Sequence, residues 1–153
     1  MMHPKFSVIT PVYNQANLLP GAIESIVQQT RLPDEYVILD DGSTDETWKI
    51  INQFSAKHSF IKPIRLEKNQ GLLVGLDILM KTISCDYFYS VAADDRLHPE
   101  LGAKSFAAAT EYPEAGLHFG SVWSMSLDGL IQDSPKQSFE PWNEITYLSP
   151  KLF

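Results

Sequence analysis

Two pairs of adjacent aspartates are the residues of this sequence best suited to chemistry. Asp40-Asp41 follows a short apolar run, Tyr36 to Leu39, and Asp94-Asp95 follows another, Tyr87 to Ala93. If these runs are neighbouring parallel strands, both pairs lie at the same end of the sheet and four carboxylates converge on one crevice. Carboxylates about 4 Å apart repel by roughly 4 kcal/mol per pair at a surface-like dielectric. A divalent cation that carries a phosphorylated ligand would neutralise them, so the pattern indicates metal-assisted nucleotide chemistry.

The segments between these pairs alternate between strand and helix patterns. Each strand is a short apolar run, and each helix shows apolar residues three and four apart. Strands joined by helices form right-handed crossovers, so we predict an α/β fold, a doubly wound, mostly parallel sheet with helices on both faces. The predicted strands are Phe6 to Val12, Tyr36 to Leu39, Ile61 to Leu66 and Tyr87 to Ala93.

Four helices are predicted from start signals and apolar spacing. A capping box of Ser43 and Glu46 starts the second helix, which runs to about Lys57, and Pro99 starts the fourth, which stops near Tyr112. The first helix, which follows Leu18, has its apolar positions at Leu19, Ala22, Ile23, Ile26 and Val27. The third helix, which follows Gly71, has them at Leu72, Leu76, Leu79, Met80 and Ile83.

The chain beyond residue 113 changes character. Leu117 to Leu127 is predicted to be a strand, with Asp128-Gly129 as a hairpin turn. The last twenty residues are rich in Ser, Pro and aromatic side chains, and Ser149-Pro150 has the pattern of a helix start. We therefore expect one domain over residues 1–153, truncated from something longer.

Composition limits the classes of partner. The 153 residues are 44% hydrophobic, enough for one core, and carry a net charge of −7 with a pI near 4.9. This charge argues against nucleic acid or an anionic membrane as the partner. No apolar run approaches the roughly 18 residues of a membrane span, and we expect a cytoplasmic protein. The single Cys85 is predicted to be a reduced core thiol.

The loop after the first strand is suited to a planar base. No GxGxxG or GxxxxGK[ST] cradle for phosphates is present. Pro11, Tyr13 and Asn14 could instead stack on and hydrogen-bond a base, although Pro and Asn also form turns and Tyr often packs in a core. Asp40 and Asp41 could accept an imide N–H or ribose hydroxyls, or simply form a turn and cap.

Asp94-Asp95 is the stronger metal candidate. Oxygen ligands completed by phosphates are what Mg²⁺ and Mn²⁺ prefer. Arg65, Lys68 and Arg96 are candidate neighbours of a diphosphate, or solvated surface charges. The four histidines have no zinc-ligand spacing, and no GxSxG motif supports a serine hydrolase.

Five motifs in this order resemble the family 2 glycosyltransferases of the GT-A fold, over about Lys5 to Pro113. They are FSVITPVYN from Phe6, SIVQQT from Ser25, VILDDGSTD from Val37, NQG from Asn69 and ADD from Ala93. The resemblance implies sugar transfer from a nucleotide-diphosphate donor, UDP- or TDP-type, to an acceptor hydroxyl, with inversion at the sugar carbon.

The resemblance also implies residue roles. Pro11, Tyr13 and Asp41 would hold the base, Asp95 would bind Mn²⁺ or Mg²⁺, and Asp94 would lie nearer the ribose or sugar while belonging to the same metal motif. Residues 114–153 would begin the acceptor side, whose acceptor could be a glycan, lipid or protein. A peripheral position at the inner face of a membrane is compatible with such an enzyme.

Three departures from the family pattern leave an alternative open. Ala92-Ala93 precedes the aspartate pair where many relatives carry one more carboxylate, and Gly75-Leu76-Asp77 replaces an Ala-Arg-Asn triplet. No clear catalytic base precedes Phe153; the late acids are Asp128, Asp133, Glu140 and Glu144. The base is expected beyond Phe153, and the alternative is a non-catalytic nucleotide-sugar-binding or regulatory module. A phosphoacceptor receiver domain is disfavoured. Such a domain carries its acidic pair after the first strand, whereas the two aspartate pairs of this chain follow the second and fourth predicted strands.

Overall fold

The computed structural model of the chain describes residues 4–116, together with residues 124–125 and 131–132. The chain divides into two compact units, Met1–Ala107 and Ala108–Phe153. The first unit contains every motif discussed above. The single-domain assignment therefore stays a prediction, and the two units are described separately.

The first unit is built on a parallel sheet of four strands. These are β1 (Phe6–Val12), β2 (Glu35–Asp40), β3 (Ile61–Arg65) and β4 (Tyr87–Ser90), in the spatial order β3-β2-β1-β4. All three strand pairs are parallel, which confirms the predicted sheet type. The condition set for convergence of the two aspartate pairs, that their strands are neighbours, is not met, because β1 lies between β2 and β4.

Four helices alternate with the strands as predicted. They are α1 (Leu19–Val27), α2 (Thr47–Ser55), α3 (Leu72–Thr82) and α4 (Leu101–Glu111). Two separate apolar clusters involve the sheet. One contains residues of α1 and α2, and the other contains residues of α3, which confirms the doubly wound arrangement.

Strand periodicity explains why two clusters form. Successive side chains of a strand point to opposite faces of the sheet. Tyr36 and Ile38 join the α1–α2 cluster, whereas Val37 and Leu39 join the α3 cluster. All four are fully buried, and burying an apolar side chain of this size contributes about 1.5 to 3 kcal/mol. A continuous apolar run is therefore required in β2.

Local boundaries differ from the prediction where side chains have other partners. The helix α2 begins at Thr47, and the predicted capping box of Ser43 and Glu46 is wrong. The Ser43 hydroxyl instead accepts a hydrogen bond from the Asn14 N–H, and Asp45 accepts one from the Thr47 N–H. The strand β4 ends at Ser90, before Ala93, and α4 begins at Leu101, two residues after Pro99.

The predicted apolar face of α3 is only partly correct. Leu79 is buried and Leu76 packs against the core, but Leu72 and Met80 are exposed. The face that meets the sheet is centred on Gly75 and Leu79 instead. Because Gly75 has no side chain, its contribution to this face could not be recognised from apolar spacing.

Two smaller predictions can also be compared with the structure. In the second unit, β5 (Ser124–Met125) pairs antiparallel with β6 (Ile131–Gln132), as expected for a hairpin. The predicted turn at Asp128-Gly129 and the late acids lie outside the described residues. In the first unit, Cys85 is free and half-buried, so its assignment to the core is wrong. No helix among the described residues is long and apolar enough to cross a bilayer.

Glu35 connects all parts of the sheet at the amino end of β2. Its carboxylate accepts hydrogen bonds from the Ser7 hydroxyl in β1, from Lys62 in β3 and from the Ser84 N–H before β4. Burial alone would raise the pKa of Glu35, but these hydrogen bonds outweigh burial and hold the pKa below its ordinary value of 4.5. The ionised carboxylate therefore stabilises the fold.

We expect Glu35→Gln to reduce the acid sensitivity of the fold. Since the folded-state pKa lies below the ordinary value of 4.5, the carboxylate's contribution is present above pH 4.5 and is lost as the pH falls through the folded-state pKa. The substitution should lower the free energy of unfolding by about 1.5 to 3 kcal/mol at neutral pH, and by progressively less below pH 4.5. Urea unfolding across the pH range measures this difference.

The matched control is Glu46→Gln, which removes an exposed pair with Lys49 on the surface of the protein. Such a pair contributes little to stability. An unchanged pH profile for Glu35→Gln would contradict the role of Glu35.

Candidate functional site

Three loops meet at the carboxyl end of the sheet, where parallel α/β proteins bind their ligands. They are the β1–α1 loop after Val12, the β2–α2 loop (residues 41–46) and the β3–α3 loop (residues 66–71). A fourth segment, which follows β4, carries Asp94 and Asp95. These segments hold all the predicted site residues except Pro11 and Asp40, which lie at the ends of β1 and β2.

Asp41 joins the β2–α2 loop to the β3–α3 loop. Its Oδ1 accepts a hydrogen bond from the Gln70 N–H and its Oδ2 accepts one from the Gly71 N–H, each at 2.8 Å. The residue is 5% exposed. A carboxylate that accepts two backbone N–H groups is a strong, charge-assisted partner, so Asp41 holds the backbone just before α3.

Gly42 allows these two loops to pack closely. Its φ is +70°, and a Cβ at this position would lie 2.6 Å from the Lys68 Cα. Any larger residue would therefore meet both a strained backbone conformation and a backbone collision. Asp41 thus attaches the β3–α3 loop, and Gly42 allows the β2–α2 loop to approach it closely.

Asp40 points to the other face of β2 and is completely buried. Its Oδ1 accepts a hydrogen bond from the Ser43 N–H at 3.0 Å. Its Oδ2 lies 3.3 Å from Arg65 Nε, an ion-pair distance, without forming a hydrogen bond. Arg65 also donates to the Ser43 carbonyl and lies 5.4 Å from the centre of the Trp48 ring. Both residues are therefore engaged in supporting the β2–α2 loop.

Asn14 attaches the β1–α1 loop to the β2–α2 loop. Its φ is +51°, which an asparagine tolerates better than most residues. Its Oδ1 accepts from the Thr44 N–H at 2.8 Å, and its own N–H donates to the Ser43 hydroxyl at 2.9 Å. Asn14 therefore has a local structural task that the sequence did not reveal.

A pocket of about 250 Å³ opens between the first and third of these loops. Tyr13 forms part of its rim and is 42% exposed, while Asp41 and the buried Gly75 lie deeper. Its lining residues are Pro11, Val12, Tyr13, Asp41, Asn69, Gly71, Leu72 and Gly75. The aromatic ring, the apolar walls and the few polar groups are the features expected of a site for a flat heterocycle.

Asp94 and Asp95 do not line this pocket. Both are exposed, and the Asp95 N–H donates to the Ala92 carbonyl in a turn after β4. Two strand spacings, roughly 10 Å, separate the ends of β2 and β4. The strand end that leads to Asp41 and the strand end that leads to Asp95 are therefore not adjacent. The predicted convergence of four carboxylates is wrong, and the described residues contain no cluster of three or more His, Cys, Asp or Glu suited to a metal.

Five lining residues were not predicted as ligands. Val12, Asn69 and Gly71 belong to recognised motifs without having been assigned a contact, and Leu72 was placed on the core face of α3. Gly75 is the fifth omission. A glycine inside a helical pattern is the one signal that could have pointed to it, because such a glycine needs a packing or functional reason.

Known proteins resemble this chain in sequence and in fold. The sequence profile described as Glycosyl transferase family 2 matches residues 7–144. The chain belongs to glycosyl transferase family 2. The glycosyltransferase GlyA of Streptococcus pneumoniae is 31% identical over 126 residues, which is 82% of this chain and 18% of GlyA. A PGL/p-HBAD biosynthesis glycosyltransferase of Mycobacterium bovis is 32% identical over 80% of this chain and 48% of its own length. This family 2 chain therefore spans less than half the length of either relative.

Solved structures show the same fold. The structure of S. aureus TarS 1-349 in complex with UDP-GlcNAc is 29% identical, with a TM-score of 0.66, and the match covers 71% of this chain and 32% of TarS 1-349. The mannosyltransferase PcManGT of Pyrobaculum calidifontis, at 21% identity and a TM-score of 0.66 over 80% of this chain and 36% of its own, shares the fold. This family 2 chain therefore has the GT-A fold.

We expect Asp41→Asn to loosen the β3–α3 loop. An asparagine keeps one acceptor oxygen, but its amide N–H₂ would face a second backbone donor. The free energy of unfolding should fall by about 1 to 3 kcal/mol, and the amide hydrogens of Gln70 and Gly71 should exchange faster with solvent. Chemical unfolding and hydrogen exchange by NMR measure the two effects.

Asp77→Asn is the control, since Asp77 forms an exposed pair with Lys81 on α3. It should leave both quantities nearly unchanged. Unaltered exchange at Gln70 and Gly71 in Asp41→Asn would refute the attachment of this loop by Asp41.

Proposed function

We propose that this chain is the donor-binding part of an inverting glycosyltransferase that uses a UDP- or TDP-type sugar and a divalent metal. The observation that carries the proposal is the pocket at the carboxyl end of the sheet, which Pro11, Tyr13 and Asp41 line. Family membership supports sugar transfer, and the TarS complex with UDP-GlcNAc supports a uridine nucleotide.

The base is proposed to occupy the pocket beside Tyr13. An exposed aromatic ring at the rim can stack on a pyrimidine. Asn69 lines the pocket with an exposed carboxamide, which offers one donor and one acceptor to the edge of a base. Asp41 would act on the ligand mainly by holding the β3–α3 loop, which forms one wall of the pocket. Asn14 and Asp40 would act one step further away, through the loop they support.

The metal is proposed to be held by Asp95, with Asp94 nearer the ribose or sugar. The two carboxylates are exposed and follow β4, so their oxygens are accessible to an ion whose remaining ligands are phosphates and water. This donor set fits Mg²⁺ or Mn²⁺. When bound, the metal would supply charge neutralisation of the departing diphosphate.

The acceptor half of the reaction is proposed to involve a general base beyond Phe153. A base must lie within hydrogen-bond reach of the acceptor hydroxyl. The described residues at the site are already engaged or belong to donor binding, since Asp40 and Asp41 hold loops and Asp94 and Asp95 would face the metal and sugar. The alternative is a binding or regulatory module without catalysis. Such a module would bind the donor in the same way but would lack the general base of the acceptor half.

We expect Asp95→Ala to weaken UDP binding while leaving uridine binding unchanged. The carboxylate would act through a metal on the diphosphate, and uridine has no diphosphate. The loss for UDP should be roughly 1 to 3 kcal/mol, and EDTA should produce a similar loss with the unsubstituted protein. Titration calorimetry with UDP and uridine, with Mn²⁺ or with EDTA, measures each affinity.

Two further variants make this result specific. Asp41→Ala should weaken uridine and UDP alike, because it releases the pocket wall, and Asp77→Ala should weaken neither. Equal losses for uridine and UDP in Asp95→Ala would contradict the division of roles between base pocket and metal.

Turnover tests the catalytic half. We expect the 153-residue chain to bind UDP-sugars without transferring the sugar, because base catalysis alone accounts for about 10² to 10⁴ in rate. Release of UDP in the presence of simple sugar acceptors measures transfer. Rapid release, abolished by replacing one of Asp128, Asp133, Glu140 or Glu144 with its amide, would show instead that the base lies within these residues.

A further inference from the structure

Gly75 occupies a position where the fold does not need a glycine. It lies inside α3, where glycine destabilises a helix relative to alanine. Among the described residues, the glycines with positive φ are Gly42 and Gly71, so the backbone at Gly75 suits an alanine. The cost of a glycine here therefore has no conformational explanation.

Packing does not require a glycine either. A Cβ at position 75 would lie 3.5 Å from Leu39 Cδ2 and 3.6 Å from Pro11 Cβ, which are ordinary van der Waals distances. Gly102 in α4 is different, since a Cβ there would lie 2.4 Å from the Arg31 carbonyl oxygen. An alanine would fit at position 75 and would collide at position 102.

The space left by the missing side chain belongs to the pocket. Gly75 is buried and lines the pocket together with Pro11. The atoms nearest to this space, Leu39 Cδ2 and Pro11 Cβ, are apolar carbons at the distance where carbon–carbon attraction is strongest. A ligand methyl group cannot take the Cβ position itself, which lies one covalent bond from the Gly75 Cα, but without a Cβ it can approach the Gly75 Cα to van der Waals distance beside Pro11.

We propose that Gly75 is a specificity-determining residue that keeps a methyl-sized apolar recess open in the base pocket. The ligand class that this recess selects is a nucleoside diphosphate whose pyrimidine carries a ring methyl group, in preference to the unmethylated base. This inference rests on the proposed function, because it assumes that the pocket holds the base.

The test compares UDP with 5-methyluridine diphosphate, two probes that share the same ribose and diphosphate. With Mn²⁺ present, the unsubstituted chain should bind the methylated probe about fourfold more tightly, the value of one buried methylene-sized group. Gly75→Ala fills the recess and should abolish or reverse this preference. The same variant should raise the melting temperature by roughly 2 to 6 °C, since it improves helix propensity.

Val74→Ala is the matched control. Val74 is a half-exposed β-branched residue of the same helix and does not line the pocket, so its replacement also favours the helix and should leave the fourfold preference intact. Equal affinity of the unsubstituted chain for the two probes, or an unchanged preference in Gly75→Ala, would overturn the role of Gly75 alone. Failure of the unsubstituted chain to bind either probe would overturn the proposed function as well.

Discussion

The carboxylate of Asp41 is the interaction on which the arrangement of the pocket depends. It accepts two backbone N–H groups of the β3–α3 loop, and this loop provides Asn69 and Gly71 to the lining. The neighbouring Asp40 points the other way, because successive side chains of an extended strand alternate. Asp41 therefore holds the pocket wall, while Asp40, buried beside Arg65 at the end of β2, supports the β2–α2 loop. The adjacent pair performs two different structural tasks.

The fold could be predicted because its signals are local and repeated. The apolar run of β2 and the three-to-four spacing of α1 each report burial directly, and strands joined by helices permit few topologies. The order of the strands in the sheet could not be predicted from such local signals. Nothing in the sequence near β2 or β4 indicates that β1 lies between them, since this depends on the direction of each crossover, and the expected convergence of carboxylates failed for this reason.

The details of the site were harder to predict because they depend on contacts between distant segments. Ser43 has the sequence context of a helix cap, yet its hydroxyl is engaged by the Asn14 N–H from 29 residues away. Gly75 contributes to the pocket by lacking a side chain, which an apolar pattern cannot register. By contrast, the position of Pro11 and Tyr13 beside Asp41 was predictable, because the carboxyl ends of parallel strands lie at one edge of the sheet.

The attachment of Asp41 also affects where an anion can bind. The N-terminus of a helix attracts anions through its free backbone N–H groups and its dipole. Gly71 is the N-cap of α3, and its N–H already donates to a carboxylate that belongs to the protein. The helix is thus supplied with an internal counter-anion, and a phosphate approaching this end would meet a negative charge.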